Sequence, residues 1–509
     1  MRIPNLDSLT TKQVCLIGSL LSLIASILII LQSDVLSYDS LLYLETARTY
    51  LNSGLEAAVA VYPWPFLSVI IATLHQVTGL SLPVSGHLLI TLLYAAITCC
   101  FILLVSNLGG NTRTQLIAAI LILIFPTFND YRDYIIRDPG YWFCVLLSLH
   151  QLLRFARQRS FNAALGWVLS IALAVTFRTE ALFIAAFAPL ALLLPQGSPM
   201  RERLQRTGLI YCLLLVVSTV VLAGLLTITS VSADKFRLFL EVVNLPQFFG
   251  QISDKLATTI DQLSATQPNI YTADDMEAIY LSGLMGLLII TMLHALTTPY
   301  LALYIWQRRS YWVTLCSSQT TLIAAYLVCI TAYLCLFIYK EQFVTDRFFL
   351  LFVLIFMLPL SFTIESLLFR QPADPFAWRK ILVGALLLYQ LLDSSVSTGT
   401  SKAYIASAAQ WINDNNPAGA QVISDQEHIG YFAGKSLGKS FKFNALEMVE
   451  SQRLEAGDIV ALRIRHRQKD RMARVNKLQH DDILRPLKTF ANQQQDQLVI
   501  FTFNPKAAN

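Results

Sequence analysis

Two groups of aspartates could do proton or phosphate chemistry. Asp34 and Asp39 follow the first long apolar run, and Asp130, Asp133 and Asp138 share the stretch FNDYRDYIIRDPGYWF. A carboxylate at a membrane–water boundary can act as a base towards a hydroxyl or amine, or hold a divalent cation beside a phosphate. Plainer readings stand beside these. Asp39 opens an amphipathic helical pattern and Asp138 precedes Pro139, so either suits a helix cap, while Asp130 and Asp133 suit a solvated loop. Cations form the second group. Arg178 in TFRTEALF and Arg347 in VTDRFFLL adjoin apolar runs, and Lys340 lies close to the latter. Guanidinium binds phosphate in bidentate fashion. The alternative is an internal ion pair, with Glu180 for Arg178 or Asp346 for Arg347. Tyr43, Tyr62, Tyr141 and Trp142 crowd the same segments, as interfacial aromatics or as stacking surfaces for a sugar. His75, His87 and His294 are isolated and read as non-ligands.

Positioning these residues falls to a very apolar chain. Of 509 residues, 55% are hydrophobic and 14% charged, against about 25% charged in soluble domains. Long uncharged runs alternate with short charged clusters, which is the pattern of an all-α polytopic membrane bundle. Spans are expected at 14–31, 87–106, 115–128, 139–153, 162–177, 180–194, 208–229, 281–305, 319–339, 348–368 and 380–394, about eleven transmembrane helices. Alternate loops hold fourteen basic residues, among them Arg154, Arg157, Arg201, Arg203, Arg308 and Arg309. The positive-inside rule makes those loops cytoplasmic. The N-terminus is then cytoplasmic, and the acidic loops and the C-terminal tail lie outside.

The net charge of +5 is what such loops produce and is no sign of nucleic acid. Eight cysteines, none beyond Cys335 and none in CxxC spacing, give neither a disulfide framework nor a zinc site. No Asn-x-Ser/Thr acceptor occurs, which favours a bacterial inner membrane. Residues 1–394 form the expected transmembrane domain, with long outer loops at 32–86 and 230–280. The first loop holds the helical pattern YDSLLYLETARTYLNSG and an apolar surface stretch, PWPFLSVIIATLHQVTG; the second is polar with little apolar patterning. Residues 395–509 read as a small soluble periplasmic α/β domain. It has a helix in SKAYIASAAQWINDNN, strands in AQVIS, DIVALRIR and LVIFTF, and no nucleotide-binding motif.

In this order the motifs resemble the GT-C superfamily of membrane glycosyltransferases, and within it the branch of protein O-mannosyltransferases and bacterial aminoarabinose (lipid A) transferases. That branch opens its first outer loop with Asp-Glu, then Tyr four residues after the Asp and Glu two later. Asp39, Tyr43 and Glu45 take those places, followed by Ala47 and Arg48, with Ser40 where the family has its second acid. Tyr62, Pro63, Trp64 and Pro65 open the juxtamembrane stretch that Gly79 closes, Asp138-Pro139 matches the second-loop Asp-Pro, and Asp346-Arg347-Phe348 is similar to Glu-Arg-Tyr. In the tail, Trp411, Ile412, Asp425, Gly430 and Tyr431 match the outer domain.

The resemblance implies transfer of a hexosyl or pentosyl unit from a polyprenyl-phosphate-linked donor. The acceptor is periplasmic, a glycan, lipid or protein, and the lipid tail lies in a groove of the bilayer-embedded bundle. Asp39 is implied as the catalytic base, with Asp138 assisting near the phosphate, where a divalent metal cation has a place. Arg178, Arg347 and Lys340 are the implied donor-phosphate ligands, and Tyr43, Glu45, Tyr62 and Asp133 the substrate contacts. Two rivals stay open: a transporter or flippase for a lipid-linked saccharide, and a GT-C-like glycan polymerase or ligase. A transporter favours ionisable groups near the midplane, whereas here they gather at one face.

Overall fold

The computed structural model describes residues 8–194, 198–228, 245–267, 269–306, 317–370, 378–395, 401–416, 420–432 and 445–505. The basic-loop residues Arg308 and Arg309 lie outside them. The described residues are mostly helical, with one small sheet.

Among the described residues, five helices are long and apolar enough to cross a membrane. They are α1 (Thr11–Gln32), α4 (Leu82–Asn107), the first 22 residues of α9 (Met200–Ile228), α11 (Met276–Ala295) and most of α12 (Ser317–Glu341). At 1.5 Å per residue, α1 reaches roughly 33 Å, enough for a hydrocarbon layer of about 30 Å. Its large side chains face outwards, with Leu16 at 60% and Leu28 at 54% exposure, as a lipid-facing surface requires. A sixth candidate is a broken span in which α13 (Asp346–Phe356) meets α14 (Leu360–Glu365) and its continuation at 54°. Shorter apolar helices account for other apolar runs: α5 (Thr112–Leu123), α7 (Phe161–Phe177) and α8 (Ala181–Phe187).

Between α5 and α7 lies α6 (Asp138–Gln158). It turns into α7 through Arg159, whose φ of 53° closes the helix with a bond from its N–H to the Phe155 carbonyl. The two helices pack closely because Gly140 lets the Phe177 ring approach its backbone. The polar stretch 230–280 also holds regular structure: 229–244 lie outside the described residues, but α10 (Leu245–Ala265) is a helix with one strongly polar face.

The chain divides into two compact units. The first comprises Met1–Ala25, Leu93–Tyr131 and Arg137–Ser395; the second comprises Ser26–Leu92, Arg132–Ile136 and Val396–Asn509. In the second unit, α2 (Tyr38–Val61) and α3 (Phe66–Thr78) pack on each other. Ser37 caps α2 by accepting from the Ser40 N–H, and Gly54, at φ 81°, breaks the helix. The expected role of Asp39 as a cap therefore falls to Ser37.

The same unit holds a four-stranded sheet in the order β1-β2-β4-β3, from β1 (Val422–Ser424), β2 (Ile459–Ile464), β3 (Leu484–Ala491) and β4 (Gln497–Phe503). β1 runs parallel to β2, and the other pairs are antiparallel. One side of the sheet packs on α18 (Ala445–Glu450) and α19 (Lys469–His480), around Leu446, Leu462 and Phe501. The opposite side packs on α16 (Ala403–Asn415) and α17 (Glu427–Phe432), around Ile412, Ala461 and Ile500. Val35, from the first loop, packs into that second cluster.

Candidate active site

The expected residues fall into two groups, one in each unit. In the first unit α7 ends at Arg178, whose extended backbone turns the chain away while its N–H still bonds the Ala174 carbonyl. The guanidinium is thereby delivered between two carboxylates. Its Nε donates to Glu180 Oε1 at 2.8 Å, and its two terminal nitrogens pair with Asp138 and Glu180. All three side chains are less than 10% exposed. Asp138 opens α6 rather than capping it, since Arg137 holds the cap position without a side-chain bond. Its carboxylate is taken up by Arg178, a partner forty residues away in sequence.

Around this triad Arg178, Glu180, Arg347 and the rings of Tyr141, Tyr333 and Phe348 line a small open pocket of about 20 Å3. Both guanidinium groups lie over Phe348, Arg178 at 5.0 Å and Arg347 at 5.2 Å from its centroid. The ring attracts both cations, but Arg178 is already outnumbered by two carboxylates, so Arg347 is the candidate of the two for an anion of phosphate type. Asp346, suggested as a partner for Arg347, pairs with His294 at 2.8 Å. Lys340 ends α12, with its ammonium 3.3 Å from Glu341 and 44% exposed, and it is not part of the cavity wall. Tyr333 escaped the sequence reading, since nothing in an apolar helical run marks the one tyrosine that lines a cavity.

The second unit holds Asp39, Tyr43, Glu45, Tyr62 and Asp133. Asp39 is half-buried in the first turn of α2, one turn ahead of Tyr43. The Tyr43 ring meets Tyr62 edge-on at 5.4 Å, and the Tyr43 carbonyl accepts from Ser68 Oγ. Glu45 is buried and pairs with Arg48 at 3.2 Å, while the Arg48 guanidinium lies 4.3 Å from the Tyr431 ring centre. Asp133 accepts from Ser33 Oγ at 2.8 Å, and burial pushes its carboxyl up. Asp34 accepts from the Lys402 N–H.

Ser40 is fully buried: its hydroxyl accepts from the Ile135 N–H at 2.9 Å and lies 2.7 Å from Ser37 Oγ. A carboxylate there would carry an unscreened charge into that sealed spot, which accounts for serine in place of an acid. One residue absent from the sequence reading stands out, Glu427 at the start of α17. Burial, and then the charge of Asp39, push its carboxyl up to about 7. Its neighbours Asp425, Gly430 and Tyr431 carried the motif match, but a motif does not say which acid faces inwards. Among the described residues no three His, Cys, Asp or Glu side chains group as metal donors, and Asp138 is engaged by Arg178, so no step below is routed through a metal.

No model of a known protein family matches the sequence. No curated protein matches it either. Solved structures do match in fold. ArnT from Cupriavidus metallidurans bound to undecaprenyl phosphate superposes with a TM-score of 0.53 over 96% of this chain and 98% of its own, at 10% identity. Arabinofuranosyltransferase AftD from Mycobacteria gives 0.52 over 98% of this chain and 40% of its own, at 13% identity. The oligosaccharyltransferase AglB from Archaeoglobus fulgidus, in complex with an inhibitory peptide and a dolichol-phosphate, gives 0.51 over 89% and 69%, at 15% identity. The agreement spans both units and nearly the whole of the ArnT chain. This chain therefore has the fold of the GT-C membrane glycosyltransferases.

Proposed function

We propose that this protein is a glycosyltransferase of a bacterial inner membrane that takes a sugar from a polyprenyl-phosphate-linked donor and transfers it to an acceptor on the periplasmic side. The observation that carries this reading is the full-length likeness to a structure that holds undecaprenyl phosphate. It is supported by a cavity in this chain that brings two guanidinium groups to one aromatic ring. In this reading the bundle crosses the bilayer about eleven times, the shorter helices included, and the C-terminal domain lies outside the cytoplasm.

Asp39 accepts the proton of an acceptor hydroxyl. The hydroxyl oxygen forms the new bond to the anomeric carbon. The bond from that carbon to the phosphate oxygen breaks, and its electron pair leaves with the polyprenyl phosphate. Arg347 stabilises the growing negative charge, where electrostatic catalysis has most effect, while Arg178, outnumbered by its two carboxylates, shapes the pocket wall. Asp138 and Glu180 hold Arg178 in place. Tyr43, Glu45, Tyr62 and Asp133 shape the acceptor side.

The test is purified protein supplied with a series of polyprenyl-phosphate sugars, with products read by mass spectrometry. Asp39→Asn should lower kcat by about 100-fold or more, as loss of a general base does. Arg347→Ala should raise the KM for the donor more than it lowers kcat. Transfer at the wild-type rate by Asp39→Asn removes Asp39 as the base, and failure of every donor to react removes the transferase reading itself.

A further inference from the structure

Glu427 sits between two residues that are each fastened to the start of α2 within one compact unit. On one side, Gln426 Oε1 accepts from the Tyr38 hydroxyl at 3.0 Å. On the other, His428 Nε2 donates to the Leu36 carbonyl at 2.6 Å, and its ring meets Tyr38 edge-on at 5.1 Å. These contacts hold α17 against the turn of α2 that carries Asp39. Glu427 Oε2 is buried and has no hydrogen-bond partner among the described residues. A buried carboxylate oxygen left without a donor is costly unless the group keeps a proton or serves a purpose.

The charges around Glu427 make the pairing specific. From α2, the charge of Asp39 adds to burial in pushing the Glu427 carboxyl up, and Glu427 in turn bears on Tyr38. In its own segment, Asp425 is occupied by Arg471 and by the Arg463 N–H. His428 donates a hydrogen bond to the Leu36 carbonyl and is kept towards its neutral form by burial. Lys402 from the start of α16 and Arg463 from β2 bear on His428.

We propose that Glu427 is the second carboxylate of the Asp39 site, supplied by the C-terminal domain in place of the acid that Ser40 lacks. This rests on the reading of Asp39 as the base. Glu427 is a positioning residue: it acts through Asp39 and takes no bond to the sugar. When the acceptor hydroxyl loses its proton, Asp39 receives it, and the neighbouring negative charge favours that protonated form. The C-terminal domain is then part of the chemistry, and its docking switches the base on.

The experiment uses the full-length protein in lipid, without substrate, and follows carboxyl protonation by infrared difference spectroscopy from pH 5 to 8.5. Wild type should show a carboxyl that titrates near 7, absent from Glu427→Gln and moved down by about one pH unit in Asp39→Asn. If Asp39→Asn leaves that titration unmoved, the pairing is overturned. A second arm measures transfer. Glu427→Gln should lower kcat by about three- to tenfold and shift the acid limb of the pH profile down, and Glu427→Asp should restore both in part. A change in kcat with an unmoved acid limb also overturns the pairing. The two readings fail separately: coupled titration in a protein that transfers no sugar sinks the transferase, and transfer that depends on Asp39 beside an uncoupled Glu427 sinks the pair alone.

Discussion

Arg178 shows how much one side chain can hold. A guanidinium between two carboxylates, all sealed from solvent, leaves either side stranded when the other is removed, and such losses cost about 3–5 kcal/mol. Arg178→Ala should therefore lower the Tm markedly in a detergent unfolding series. Arg178→Lys should recover little, because an ammonium cannot reproduce the fork. Glu427 makes an opposite prediction. Its folded pKa of about 7 lies above its ordinary 4.5, so the folded chain keeps a proton that the unfolded chain releases, and stability falls as pH rises from about 4.5 to 7. Glu427→Gln should abolish that fall and gain about 1 kcal/mol above pH 7, a figure already reduced for its half-exposed position. Some of this was legible in the sequence. Glu180 stands two residues from Arg178 and reads as its partner. Asp138 stands forty away, and only the fold brings it there. Asp346 reads as the neighbour of Arg347, yet a first-turn side chain points where its helix aims it, and here that is towards His294.

At the scale of elements, long apolar runs translate directly into helices because no other structure satisfies the backbone in hydrocarbon. The runs at 14–31, 87–106 and 319–339 fall within α1, α4 and α12. Strands were less legible. β3 reads LRPLKTFA, with a proline, a lysine and five consecutive exposed positions, and it is an edge strand with a bulge between Pro486 and Lys488. Edges carry just these residues to discourage further pairing, so the feature that protects the sheet hides the strand from a reading by alternation. The α6–α7 packing is legible only afterwards, from Gly140. A Cβ there would stand 2.3 Å from the Phe177 ring, whereas at Gly86 it would meet the tip of Ile135 at 2.7 Å. A ring wedged between helices cannot yield as an isoleucine tip can. Gly140→Ala should cost about 1–3 kcal/mol and Gly86→Ala less, compared by Tm on the two purified variants.

For the whole molecule, the proposed topology places the exposed surface of the C-terminal domain outside the cytoplasm. Ser451→Cys, at an exposed position, should be labelled in intact cells by a membrane-impermeant thiol reagent. Labelling only after the cells are broken would reverse the orientation. The sequence separates residues 32–86 from 395–509 as a loop and a tail, and nothing in composition says that they fold as one body. Yet Leu36 bonds His428 and Tyr38 bonds Gln426 across 392 and 388 residues. A ribosome adds about 5–20 residues per second, so the opening turn of α2 waits roughly 20–80 s for its companion to emerge. Until then that turn lacks the Gln426 and His428 groups that hold it, so on the proposed reading a chain cut short before Gln426 has no assembled site. On the proposed reading the site is thus completed only late in synthesis, after most of the chain has left the ribosome.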